Sequence, residues 1–192
     1  MIDLRQWDCI KESIMLSVQP KWVEKIISGE KTIEVRKTAP KLETPFKCFI
    51  YCTFPKKPVY TLWLNRGKDT KFLADGKVVG EFTCDNVSEI KPHDDGYGAT
   101  IEYNKCGKGS CLSSDQLNDY LKGGKGYAWH ISDLQIYDKP KKLSEFVTKR
   151  KCDSCKVSGY ESTACIWDED CIVPHKLSRA PQSWCYVEIP RL

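Results

Sequence analysis

Gly29-Glu30-Lys31-Thr32-Ile33-Glu34-Val35-Arg36-Lys37 is a turn running into a strand that carries a cation, a carboxylate and a second cation at fixed offsets. Side chains alternate along a strand, so Thr32, Glu34 and Arg36 are expected on one face and Ile33 and Val35 on the core face. Glu34 and Arg36 then stand roughly 7 Å apart, beside Lys31 at the strand mouth. Two readings follow. The charges form either a solvated ion pair worth under about 1 kcal/mol, or a cleft in which Lys31 and Arg36 meet a phosphate or base edge while Glu34 accepts from an exocyclic amine. Spacing alone favours the solvated strand, because charge runs usually face water.

Outward from this stretch, Ser13 to Val18 reads as a first strand. Pro20 suits a first helical position, Trp22, Val23, Ile26 and Ile27 make an apolar stripe, and Gly29 ends the helix. Cys48 to Thr53 resumes strand character, and Val59 to Leu64 is a further strand. Asp75-Gly76 is a hairpin signal feeding Lys77 to Ile90. Lys91 to Gly109, rich in Gly, Asp and Lys, is expected to be an irregular excursion. Ser113 and Gln116 form a capping box for a helix through Leu121 that Gly123 and Gly124 end. Tyr127 to Tyr137 reads as one strand, Leu143 to Phe146 as a helical turn, and Trp184 to Ile189 as a closing strand. Many strands with scattered short helices, and no regular alternation, favour a mixed β-barrel over a doubly wound sheet.

Composition is that of one globular domain. The 192 residues are 41% hydrophobic and 29% charged, so disorder is not the default. The apolar runs are too short for a membrane span, and Met1 to Asp8 lacks a secretory pattern, which predicts a cytoplasmic protein with no membrane partner. A net charge of +4 permits contact with a few phosphates and falls short of a dedicated duplex binder.

Eleven cysteines in a reducing compartment argue against a disulfide framework. Cys152-Asp-Ser-Cys155, nine residues, Cys165, five residues and Cys171 could supply four thiolates to one tetrahedral Zn²⁺, with His175 an alternative ligand. Four thiolates would close the shell, making the zinc structural. The competing readings are plain reduced thiols and a redox pair at Cys152 and Cys155. Cys106 and Cys111 are a weaker pair, and Cys9, Cys48, Cys52, Cys84 and Cys185 read as core residues.

The segment from Leu16 to Arg36, with the strand Gly76 to Phe82 and the run Gly126-Tyr127-Ala128-Trp129-His130-Ile131, resembles the ASCH domain, a PUA-like family of small β-barrels linked to RNA, in its bacterial and phage form. The resemblance implies a PUA-like mixed β-barrel, so the expected fold is α+β with short peripheral helices, to which the cysteine reading adds a cysteine-rich insertion. The resemblance covers residues 12–148 and the closing strand near 184–189; together with the cysteine reading this gives a single domain at 12–192 with a zinc-stabilised insertion at 149–179, after a lead-in at 1–11. It also shifts preference to the cleft reading of Lys31, Glu34 and Arg36, with Lys21, Thr32, Tyr127 and Trp129 as further residues binding RNA or a nucleotide; the two aromatics share a strand face that can stack bases or simply fill a barrel. His130, on the opposite face, is not expected to be a general base.

Some relatives hydrolyse acetylated cytidine through a lysine, a threonine and a glutamate, and others have been described as ribonucleases. The lysine falls on Lys31, but the threonine position holds Glu34, with Thr32 two residues earlier. The leading reading is thus a nucleic-acid-binding module. A hydrolase using Lys31 and Glu34 as acid and base is the second, and a protein-interaction adaptor using the cysteine-rich segment the third.

Overall fold

Strand β1 (Ser13–Val18) is buried on both sides because its two side-chain faces feed separate apolar clusters. Ile14, Leu16 and Val18 pack with Ile50 and Phe82; Met15 packs with Phe49, Phe146 and Val187. The structure, a computed structural model, describes residues 12–55, 62–65, 71–94, 99–101, 103–151 and 172–188.

After β1 come α1 (Pro20–Ile27), β2 (Ile33–Arg36), β3 (Phe46–Cys52), the short pair β4 (Trp63–Asn65) and β5 (Lys71–Leu73), β6 (Lys77–Cys84) and β7 (Val87–Ile90). A second short pair, β8 (Pro92–Asp94) and β9 (Ala99–Ile101), precedes α2 (Tyr103–Ser110) and α3 (Ser114–Leu121). The chain continues through β10 (Gly126–His130), β11 (Ser132–Lys141), a 3₁₀ turn (Leu143–Glu145), β12 (Val147–Lys151), β13 (Ile172–Lys176) and β14 (Trp184–Val187). Five strands form a sheet in the order β11-β6-β3-β1-β14, and three form a second in the order β2-β10-β7.

Local chemistry explains the short helices. Pro20 opens α1, Val23 and Ile26 bury its apolar stripe, and Gly29 leaves it at φ +78°. Ser113 accepts from the Gln116 amide while the Gln116 side chain accepts from the Ser113 amide, so the capping box forms as read. Leu117 and Leu121 of α3 then pack on Val35, Ile90 and Ala128 of the small sheet.

Three local expectations are corrected and a fourth is met in part. Asp75-Gly76 makes a turn, but β6 pairs with β3 and β11 rather than folding back on β5. The stretch from Lys91 to Gly109 holds a strand pair and helix α2 instead of an irregular excursion. Tyr127 to Tyr137 is two strands, since the chain passes from the small sheet to the large one at Ile131. The strand sought over Val59 to Leu64 is β4, with residues 56–61 outside the described residues. The fold is mixed α+β and dominated by sheet. Among the described residues the strands lie in separate sheets, and no closed barrel is shown.

The lead-in 1–11 and residues 152–171 of the expected insertion, with all four cysteines proposed as zinc ligands, lie outside the described residues. His175 is exposed on β13, paired with Thr148 of β12. Among the described residues no group of three or more His, Cys, Asp or Glu could hold a metal, and no helix is long and apolar enough to cross a membrane.

Candidate functional site

The turn after α1 brings Lys31 back toward the helix, its amide donating to the Lys25 carbonyl at 2.9 Å. Its ammonium donates to the Ser110 carbonyl at 2.6 Å and lies 3.3 Å from Glu34 Oε2. Glu34 Oε1 is 3.0 Å from Arg36 Nη2. The three residues are 3%, 7% and 6% exposed, so a carboxylate held between two cations is buried rather than solvated.

These side chains line a cavity of about 340 Å³. Its other walls come from the end of β1 (Ser17, Val18), the start of α1 (Gln19, Lys21, Trp22), and α3 with the residue before its cap (Leu112, Gln116, Asp119, Tyr120). Three cations face two carboxylates, which leaves the walls a single positive charge in excess. Lys21 and Lys31 place their ammonium groups 4.4 and 5.2 Å from the Trp22 ring centroid, within cation–π reach of that ring. Tyr120 is 37% exposed; burial pushes its phenol pKa up, with Arg36 acting against that and Glu34 with it.

Arg36 is already engaged. Nη2 donates to the Ser17 carbonyl at 2.9 Å, and Nη1 donates to the Ser183 carbonyl and hydroxyl, each at 3.3 Å. Only its Nε is buried without a hydrogen-bond partner. The guanidinium therefore braces β1 and the approach to β14 against β2, and the cation at the open rim is the exposed Lys21.

Of the residues expected to bind, Lys21, Lys31, Glu34 and Arg36 meet in this cavity. Thr32 does not. It is exposed, its amide donates to the Gly109 carbonyl at 2.9 Å, and its hydroxyl lies against α2. Tyr127 pairs in register with Arg36 and is half-buried beside Lys125, away from the cavity lining. Trp129 is corrected outright as a stacking surface. It is fully buried, edge-on to Phe46 at 5.6 Å and tilted on Trp184 at 5.9 Å, so neither face is open to a ligand. His130 pairs with Asp85 at 2.6 Å, and that hydrogen bond holds the Asp85 carboxyl below its usual range.

The rings at the cavity are instead Trp22 and Tyr120. The α3 wall was missed by sequence reasoning, although Gln116, Asp119 and Tyr120 fall at helical spacing on one side of a legible helix. Nothing local said what that side faces. Cys48, Cys52 and Cys84 are buried core thiols as expected, Cys84 pushed up to about 12 by burial, and Cys185 is half-buried. Cys111 donates to the Glu30 carbonyl. Cys9 and the Cys106 side chain lie outside the described residues.

Compared with solved structures, the chain matches the crystal structure of ASCH from Zymomonas mobilis at a TM-score of 0.51, over 91% of this chain and 86% of that one, with 19% identity. The fold is that of an ASCH domain. Two substituted forms of the same Zymomonas mobilis protein, one tyrosine-to-phenylalanine and one serine-to-alanine, match this ASCH fold at TM-scores of 0.51 and 0.51, each at 19% identity. They cover 92% and 91% of this chain and 90% and 87% of theirs. No protein-family model and no curated relative matches the sequence.

Proposed function

We propose that the cavity binds one unpaired base of RNA or of a modified nucleotide. The observation that carries this reading is the convergence of Lys21, the Lys31-Glu34-Arg36 cluster and the rings of Trp22 and Tyr120 on one small cavity. A base needs a flat apolar face and polar groups at its edge, and its phosphate needs a cation at the mouth. The volume of about 340 Å³ lies at the small end of ligand sites, which suits one nucleoside better than a duplex. The ASCH fold supports the same reading at the level of fold analogy.

Titration of a short single-stranded RNA, followed by tryptophan fluorescence at two salt concentrations, tests it. Tyr120→Ala should weaken binding by about 1–3 kcal/mol, the usual worth of one stacked base. Lys21→Ala should lower the salt slope by about 0.7, one phosphate contact on a single strand. Unchanged affinity in both variants would remove the ligand from this cavity.

The hydrolase reading keeps one supporting observation, the 3.3 Å contact of Lys31 with Glu34 inside the cavity. A threonine nucleophile at Thr32 has no support, since Thr32 lies outside the lining. Turnover of acetylated cytidine or RNA that disappears in Lys31→Ala would favour the enzyme.

A further inference from the structure

The register of the small sheet decides which main-chain groups face the cavity. Among the described residues β2 is an edge strand, paired with β10. Two bonds just beyond the ladders set their phase: the Ile131 amide donates to the Thr32 carbonyl at 2.8 Å, and the His130 amide to the Asn86 carbonyl at 2.9 Å. Both pairs continue the registers of β10 with β2 and with β7. In an antiparallel ladder, hydrogen-bonded pairs alternate with non-bonded ones. Glu34 and Arg36 therefore exchange bonds with Trp129 and Tyr127, and Val35 bonds nothing on β10.

The Val35 N–H and C=O thus point along the open edge, where Val35 lines the cavity. Among the described residues no hydrogen bond reaches them from that side. Val35 is only 5% exposed, so partners for its amide donor and carbonyl acceptor are to be sought in the cavity.

We propose that the Val35 main chain reads the Watson–Crick edge of the bound base. This rests on the nucleobase reading above and adds how the base is recognised. A strand residue presents its N–H and C=O side by side, and an unpaired base carries a donor beside an acceptor on its Watson–Crick edge. The two pairs are complementary. Glu34 stands next along the strand as a further acceptor, and Trp22 and Tyr120 supply ring faces.

An extended peptide would use the same kind of edge, but it needs several residues of it. Toward Ile33 the strand is packed by α2: Gly109 has no room for a Cβ, which would sit 3.0 Å from Ile33 side-chain carbons. The edge is thus obstructed on the Ile33 side, which favours a base over an added strand.

The test uses the whole chain with uridine and adenosine 5′-monophosphates, their counterparts methylated at uracil N3 and adenine N1, and trialanine. In amide NMR spectra the Val35 resonance should move with the parent nucleotides and not with the methylated ones, which should bind at least about ten-fold more weakly. Val35→Pro deletes the donor at an edge position where proline is tolerated, and should abolish the preference for parent over methylated nucleotide. Val35→Ile keeps the main chain and should preserve it. Methylated nucleotides binding within two-fold of their parents, or a Val35 amide unmoved while Tyr120 and Trp22 shift, would overturn the edge readout and leave base binding standing. No pocket shift with any nucleotide would sink both readings, and a Val35 shift with trialanine alone would overturn the proposal in favour of a peptide.

Discussion

Glu34→Gln keeps the shape of the side chain and removes the carboxylate that separates two buried cations. Lys31 and Arg36 are 3% and 6% exposed, and Glu34 is the carboxylate within ion-pair distance of each, at 3.3 and 3.0 Å. An exposed pair would lose about 0–1 kcal/mol on such a change. Breaking a buried pair costs about 3–5 kcal/mol, because the remaining charges stay desolvated and unopposed. Burial decides for the larger figure. At the low end, about 3 kcal/mol, a chain of this size should lose roughly 6–12 °C of Tm. The loss should persist at high salt, which screens buried charges weakly. Lys31→Met combined with Glu34→Gln should be less destabilised than the sum of the single changes, with a coupling of about 0.5–3 kcal/mol, since only one cation is then left without its acid. Urea unfolding of the four proteins measures this. A loss under about 1 kcal/mol in Glu34→Gln, or strict additivity, would refute the buried triad and return these residues to a solvated strand.

Trp129→Ala should cost about 3–5 kcal/mol in chemical denaturation, the range for emptying an aromatic core position, with no change in the salt dependence of RNA binding. Glu81 shows a pH effect of definite sign: burial raises its pKa, but hydrogen bonds from Lys47 and Tyr137 bring it below the ordinary 4.5. Its stabilisation is therefore complete above pH 4.5 and lost as the pH falls through the lower folded-state value, and Tyr137→Phe should flatten that acid limb of stability against pH. For the cysteine-rich segment we propose about one Zn²⁺ per chain on Cys152, Cys155, Cys165 and Cys171, checked by elemental analysis of protein purified without chelator. Four freely titratable thiols and no metal would exclude it.

Features carried by neighbouring residues were legible in the sequence. Pro20, the apolar spacing of Val23 and Ile26, and Gly29 bound α1 as drawn, and Ser113 with Gln116 opened α3, because capping and turn preferences act within a few residues. The grouping of Lys31, Glu34 and Arg36 was legible for the same reason. What that group does was decided elsewhere in the chain. Ser17, Ser110 and Ser183 take the hydrogen bonds of the two cations, and a helix some eighty residues beyond β2 supplies the second ring of the cavity. Tyr127 and Trp129 lie two residues apart on one strand, yet one is half-buried beside a lysine and the other is closed in the core. A period of two assigns a strand residue to a face, but not what lies over that face. The open edge at Val35 is likewise a property of sheet order: among the described residues no strand lies beyond β2, which leaves its N–H and C=O toward the cavity.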